Sequence, residues 1–220
     1  PMAADSLRKA LAYGADRAVL LTDRFFAGSD TLATSYALAT AIARIGALWG
    51  TPDVVFAGKQ TIDGDTAQVG PGIARRLDLQ QLTYVAKIAA VDPDAGLLRV
   101  ERRSEGGVQV LETRLPALVT MLEGSNEMRR GSLADALRAA RAEVVTWSAK
   151  DAGIEDVAAC GLRGSPTVVK RVFAPSPRAE KARFVEIATT ARETADAALD
   201  AIFAAAPGLA ADLVENRQTL

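Results

Sequence analysis

Short apolar runs alternate with longer stretches of helical period through the first third of the chain. Ala18-Val19-Leu20-Leu21-Thr22 and Val54-Val55-Phe56 read as buried strands. Each is followed by a polar loop and then by a helical pattern. The first pattern starts at Thr31 and continues, rich in alanine, to about Trp49; the second passes through Ile73, Ala74 and Leu77. A shorter helix over Ser6 to Tyr13 precedes them and ends at Gly14, a natural residue just past a helix end. Strand, loop and helix repeated in this order predict a parallel sheet with crossover helices.

After Leu79 the period changes. Thr83 to Val91, Leu97 to Arg103 and Val108 to Leu115 are strand-like runs separated by turn residues, which predicts an antiparallel meander. In the third run Val108, Val110 and Glu112 alternate with Gln109, Leu111 and Thr113. That imperfect alternation implies partial burial of both faces. Leu118 to Leu122 returns to a buried strand. Leu133, Leu137 and Ala140 mark a helix with Ser132 as N-cap, and Val144 to Trp147 a last short strand. From Gly161 to Pro177 the composition shifts to Gly, Pro and Ser, which reads as a linker or arm. A final helix is expected from about Lys181 to Ala205, with Val185, Ile187, Ala188, Ala191 and Ala195 near one face. The expected division is an α/β domain over 1–160 and an arm over 161–220.

The two loops that follow the apolar runs carry the candidate chemistry. Ala57-Gly58-Lys59-Gln60-Thr61-Ile62-Asp63-Gly64-Asp65-Thr66-Ala67-Gln68 lies between a strand and a helix start. Glycines allow close backbone approach to a ligand, and the amides of a first helical turn are free to bind phosphate oxygens. The loop matches neither G-x-G-x-x-G nor G-x-x-x-x-G-K-[ST], and an ordinary turn capped by Asp65 or Thr66 remains the alternative. In the other loop Asp30 is a good N-cap. Thr31, Thr34 and Ser35 follow at i, i+3 and i+4, so their hydroxyls share a face at the helix start. Capping and packing explain most such residues, but two consecutive loops of this kind favour a nucleotide ligand.

Composition narrows the chemistry further. Nearly half of the 220 residues are hydrophobic, 24% are charged, and the net charge is −1. No basic cluster interleaved with aromatics points to nucleic acid. No apolar run reaches the roughly 18 residues of a membrane span, and the start lacks the basic region of a signal peptide. Histidine is absent, which excludes every mechanism that needs a histidine base and disfavours a transition-metal site. Cys160 is alone and reads as a small buried hydrophobe. A chain so equipped suits a protein that holds a cofactor and leaves the chemistry to it.

Gly14-Ala15-Asp16-Arg17-Ala18, the segments from Asp23 to Ser35 and from Gly58 to Gln68, Val100-Glu101-Arg102 with Gly106-Gly107, Leu115 to Thr120, Asn126, and Gly164 to Val169 with Phe173 and Pro175 resemble the β subunit of electron transfer flavoproteins. The resemblance runs to about Pro177 in the family's order. It implies an α/β fold with a Rossmann-like parallel sheet of the adenine-nucleotide α-hydrolase-like type, a β-meander insertion and a C-terminal helical arm. It also implies pairing with an α subunit, which the arm wraps. The patterns at Gly28 to Ser35 and Asp63 to Gln68 are similar to the group that carries a second FAD in the β subunit. Members of that group bifurcate electrons from NADH, or serve nitrogen fixation or anaerobic acyl-CoA metabolism. The housekeeping group holds AMP at the same place.

On this resemblance the backbone from Gly58 to Val69 cradles FAD, or alternatively AMP, with Ala57 at its entrance and side-chain contacts from Thr66 and Gln68. Thr31, Thr34 and Ser35 hold the pyrophosphate or ribose, and Asp30, the N-cap beside them, counts among the cofactor-binding residues. Lys59 or Arg24 offsets phosphate charge, Gln60 and Ala67 complete the loop, and Asp63, Gly64 and Asp65 shape it or meet ribose hydroxyls. No catalytic residue or metal is expected, and the location expected is cytoplasmic. The expected partners are the α subunit and an acyl-CoA dehydrogenase or quinone-reducing protein.

The start, Pro1-Met2-Ala3, resembles the end of a family turn that follows two strands and a helix, so the sheet is expected to lack its first strand. The family's partner-anchoring Asp-Leu-Gly reads Asp151-Ala152-Gly153 here, with Ile154 as a substitute anchor, and Arg129 is retained from a family triplet. An ATP-binding module like the universal stress proteins is the alternative reading. An ATP-pyrophosphatase is a third, but its Ser-Gly-Gly-type loop is missing.

Overall fold

The computed structural model describes residues 3–174, 182 and 184–209. They divide along the chain, between Lys170 and Arg171, into two compact units. The first contains α1 (Ala3–Ala12), β1 (Ala18–Leu21), α2 (Thr31–Trp49), β2 (Val54–Gly58), α3 (Val69–Leu77), β3 (Gln80–Asp92), β4 (Leu97–Ser104), β5 (Gly107–Arg114), β6 (Ala117–Met121), α4 (Leu133–Arg141) and β7 (Val144–Trp147). Asp30 caps α2 by accepting hydrogen bonds from the N–H groups of Leu32 (2.9 Å) and Ala33 (3.0 Å). Ser132 and Asp135 close a reciprocal capping box on α4.

The strands form two groups. β1 pairs with β7, parallel, from Ala18 opposite Val144 to Leu21 opposite Trp147. The other five lie in the order β2-β6-β3-β4-β5. The expected meander, β3 to β5, continues this sheet. Gln80 to Leu82 of β3 pair in parallel with β6, and Val85 to Asp92 pair antiparallel with β4. One long strand thus joins the parallel and antiparallel halves. Val108 and Val110 on β5 are exposed, so the partial burial expected of both faces is confined to the side bearing Leu111.

β1 and β2 are not hydrogen-bonded to each other, and α2 spans the two groups. Ala37 and Ala41 pack with Trp147, Ala149, Ile154 and Cys160 beside β1 and β7. Ala39 packs with Ile73, Ala74 and Leu118 beside β2 and β6. Two i, i+4 stripes, one through Ala33, Ala37 and Ala41 and one through Ser35 and Ala39, explain the alanine richness. A larger side chain on either stripe would hold the helix off one group, and overpacking of that kind costs about 1–3 kcal/mol. By length and composition α2 is apolar enough to cross a membrane, contrary to the expectation that no run is. Its buried stripes against both strand groups make it a core helix of this fold.

The packed unit extends past the expected boundary at 160. Gly161 sits at φ +60° against the carbonyl of Phe25, where a Cβ would collide. The Ser165 hydroxyl accepts from the Asp30 N–H (2.8 Å) and donates to the Gly161 carbonyl (2.6 Å). The Thr167 N–H (3.1 Å) and hydroxyl (2.9 Å) donate to the Asp30 carboxylate. Glycine and serine mark a tight crossing here instead of a loose linker.

In the second unit, α5 covers Ala191–Ala205, a shorter helix than expected. Thr190 and Glu193 form a capping box, and the Ala188 N–H donates to the Thr194 hydroxyl. These bonds fix the start, so Val185, Ile187 and Ala188 precede the helix and do not share its face. Pro1, Met2, Pro175, Pro177 and Lys181, named in the sequence reading, lie outside the described residues.

Candidate cofactor-binding site

The C-terminal end of β2 and the N-terminal ends of α2 and α3 enclose a cavity of about 310 Å³. Ligands of open α/β sheets bind at this edge. The structure brings together on its lining Thr31, Thr34, Ala57, Gly58, Lys59, Gln60, Thr66, Ala67, Gln68 and Val69, ten of the residues named as candidate cofactor contacts. Leu38, Thr61 and Gly70 complete the lining; Leu38 and Gly70 were missed, and Thr61 was given no side-chain role. Leu38 lies one turn beyond Thr34, and that helical spacing was the available signal for it. Thr61 lay within the recognised loop, and Gly70 just after it.

Each loop is held by identifiable forces. The Thr31 hydroxyl donates to Gln68 Oε1 at 2.9 Å, which fastens the α2 loop to the α3 loop across the cavity mouth. The Lys59 N–H donates to the Met121 carbonyl (3.0 Å), anchoring the second loop on β6. Asp65 and Ala67 adopt positive φ, +48° and +54°. For an alanine this is uncommon and costs on the order of 1–2 kcal/mol, a strain typical of ligand loops. Gln68 stands at the N-cap of α3 in helical conformation with no side-chain cap, so neither Asp65 nor Thr66 caps the helix. The Val69 and Gly70 amides therefore meet no side-chain acceptor from the N-cap, and Pro71 has no N–H to offer.

Gly70 is set by packing. A Cβ there would lie 2.6 Å from Thr120 Cγ2 on β6, so glycine lets the start of α3 sit on the sheet. Lys59 lines the cavity and reaches Glu123 at 3.8 Å. The Glu123 carboxyl is held below its ordinary range first by its own backbone N–H and then by Lys59.

Six residues expected at the site lie off the lining. The Ser35 side chain turns toward α3: its hydroxyl donates to the Leu32 carbonyl (2.8 Å) and accepts from Arg76 Nε (3.2 Å). It is buried, and a Cβ on Gly72 would lie 2.7 Å from its own Cβ, so Ser35 is a packing residue. Asp30 is occupied by the α2 amides and Thr167. Burial raises its carboxyl pKa, but the N–H groups of Ala33 and Thr167 outweigh that and hold it below the ordinary value. Asp63 accepts from the Gly64 N–H (2.9 Å), and the Thr61 hydroxyl is the main cause of its lowered pKa. Asp63, Gly64 and Asp65 thus shape the outer part of the loop. Arg24 lies over the Phe25 ring, 5.6 Å from its centroid, and is absent from the lining.

The partner-anchor expectation is also corrected. Ala152 and Ile154 are buried with Trp147 and Ala149, and Asp151 accepts from the Ser148 N–H (3.0 Å) and hydroxyl (2.7 Å) to close the turn. Neither apolar side chain projects as an anchor. Arg129 packs against Gly14, with Nη1 at 3.2 Å from where a Cβ would stand.

The fold and this cleft define an α/β protein of Rossmann-like type with its candidate site at the C-terminal edge of parallel strands. Residues 1–152 match the electron transfer flavoprotein domain. Protein FixA of Azorhizobium caulinodans is 72% identical over 97% of this chain and 75% of its own length. Protein FixA of Azotobacter vinelandii is 55% identical over 98% of the chain and 77% of its length. The electron transfer flavoprotein subunit beta of Clostridium acetobutylicum is 46% identical over 78% of the chain and 62% of its length. The chain belongs to the electron transfer flavoprotein family, on the β-subunit side.

Proposed function

We propose that the chain is the β subunit of a heterodimeric electron transfer flavoprotein and that the cavity holds the adenosine end of FAD. The observation that carries this reading is the Thr31–Gln68 hydrogen bond, which makes the two loops walls of one cavity. The lining suits an adenosine phosphate: four threonines, Lys59, the start of α3, and no carboxylate. FAD supplies the electron-carrying ring when bound. The chain's own residues hold and orient it: the threonine hydroxyls at the ribose and phosphates, Lys59 as a counter-charge, and the Val69 and Gly70 amides as phosphate donors. In this reading the chemistry is the cofactor's, and the chain's part is to hold it.

The cavity is at the small end of ligand sites. That size specifically favours a second reading, in which AMP is the whole ligand. Under the FAD reading the riboflavin half lies outside the cavity. Electrons pass between NADH or dehydrogenases and downstream acceptors, with an acyl-CoA dehydrogenase or a quinone-reducing protein as outer partner and the cytoplasm as location. The unit after Lys170 exposes Val172, Phe173, Phe184 and Ile187, an apolar set suited to contact with the α subunit. The universal-stress-type alternative finds no support in the family match.

The test is co-expression with the α subunit, followed by release and mass spectrometry of the cofactors. Two FAD per heterodimer are expected. One FAD with one AMP would overturn the FAD reading and leave the family unchanged.

A further inference from the structure

A second cavity, of about 570 Å³, opens between Tyr84 on β3 and residues Arg102, Arg103, Ser104 and Glu105 at the end of β4. On β4, Leu98 and Val100 are buried, and Arg102 is the next residue on the same face, directly opposite buried Val85. A guanidinium therefore stands where the alternation calls for another apolar side chain. Its Nε is sealed from solvent and has no hydrogen-bond partner among the described residues. Two other cations of the meander are paired, Arg99 with Glu112 at 2.8 Å and Lys87 with Glu101 at 3.4 Å. Arg102 and Arg103 are in no ion pair among the described residues.

The backbone across the cavity is strained. Leu82 pairs with Val119 and Val85 with Met121, so Thr83 and Tyr84 together oppose the single residue Thr120. Tyr84 adopts φ +58°, rare for an aromatic residue, and its N–H donates to the buried Thr120 hydroxyl at 3.1 Å. Bulges of this kind re-aim side chains beside functional sites. Two guanidiniums in no ion pair among the described residues, a hydroxyl and an aromatic ring share this cavity with one carboxylate, Glu105, so the two arginines outweigh it and the set matches the recognition of a phosphate ester.

We propose that the Tyr84–Arg102–Arg103 cavity is a second binding site, taking a phosphate group. Two sources supply it: a separate nucleotide, or the phosphate chain of a ligand seated in the first cavity. Lys59 lines the first cavity and pairs with Glu123, whose carboxyl also feels Arg103 of the second.

The test is titration of the full ¹⁵N-labelled chain with inorganic pyrophosphate, read at the Arg102 Nε–H and the Tyr84 amide. A saturable shift at both is expected, with the dissociation constant raised about tenfold or more in Arg102→Gln, the loss of a charged hydrogen bond. Arg103→Gln changes an exposed side chain, keeps the fold and should weaken binding as well. Thr34→Val should leave the shift intact, so the outcome is independent of the cofactor reading. Binding that persists after loading with AMP identifies a separate ligand; binding excluded by AMP identifies one ligand spanning both cavities. No saturable shift at these two groups, or unchanged affinity in both arginine variants, would overturn the proposal.

Discussion

Gly70→Ala isolates the contact that seats α3 on the sheet. The substituted Cβ would come within 2.6 Å of Thr120 Cγ2 and 3.5 Å of Leu118 Cδ2. Thr120 is 2% exposed and cannot swing away without releasing the Tyr84 N–H from its hydroxyl. Overpacking in such a place costs about 1–3 kcal/mol. Replacing glycine by alanine within a helix returns roughly 0.5–1 kcal/mol, so the middle of the two ranges gives a net loss of about 1 kcal/mol. Thr120→Ser removes the clashing methyl and keeps the hydroxyl; alone it should cost about 1 kcal/mol for the lost methyl. In the double variant the clash disappears. Urea unfolding of the four proteins then gives a coupling energy of about 1 kcal/mol or more in favour of the pair. AMP binding should weaken in Gly70→Ala and recover in the double variant, because the same shift moves the Val69 and Gly70 amides. Additive unfolding energies, or a Gly70→Ala protein as stable as the parent, would refute the argument.

Thr34→Val and Ser35→Ala should part company. The first removes a hydroxyl lining the cavity and should weaken AMP or FAD retention about tenfold at unchanged stability. The second should leave retention alone and cost about 1 kcal/mol in melting, since Arg76 Nε loses its acceptor; equal loss of ligand in both would contradict the placement of Ser35. Asp30 has a lowered folded-state pKa, so its contribution to stability is complete above about pH 3.9 and is lost as pH falls through the folded value. Melting curves followed into acid should therefore fall less steeply for Asp30→Asn than for the parent protein, and parallel curves would contradict the bonds to Thr167. Burial pushes the Cys160 thiol pKa up, with Asp156 and Asp23 adding to it. A thiol reagent at neutral pH should react with it only as fast as the chain opens in denaturant, and rapid labelling of the native protein would show an exposed thiol.

The elements themselves were legible because their signals are local. The Asp30 cap, Gly14 at positive φ and the Ser132 cap each act within one turn of chain, so residue type alone marks them. The loop from Ala57 to Val69 was likewise readable as a strand-to-helix turn with a glycine-containing backbone. The family motifs added a ligand to that reading. Alternation on β4 was visible too, but nothing in the order of residues says that Arg102 meets Val85 and finds no partner.

What only the tertiary structure decided depends on where the other side of each helix and strand lies. A helix start gives Thr31, Thr34 and Ser35 one common face, yet α3 packs against part of that face and takes Ser35 out of the cavity. Ala152 reads in sequence as a weakened anchor, whereas packing against Trp147 makes it core. The Gly161 to Thr167 stretch has the composition of a linker, but its hydrogen bonds to Asp30 and Gly28 tie it into the first unit. Local propensity is fixed by a residue and its near neighbours along the chain. Burial and pairing are fixed by residues far away in sequence, and only the folded arrangement specifies which those are.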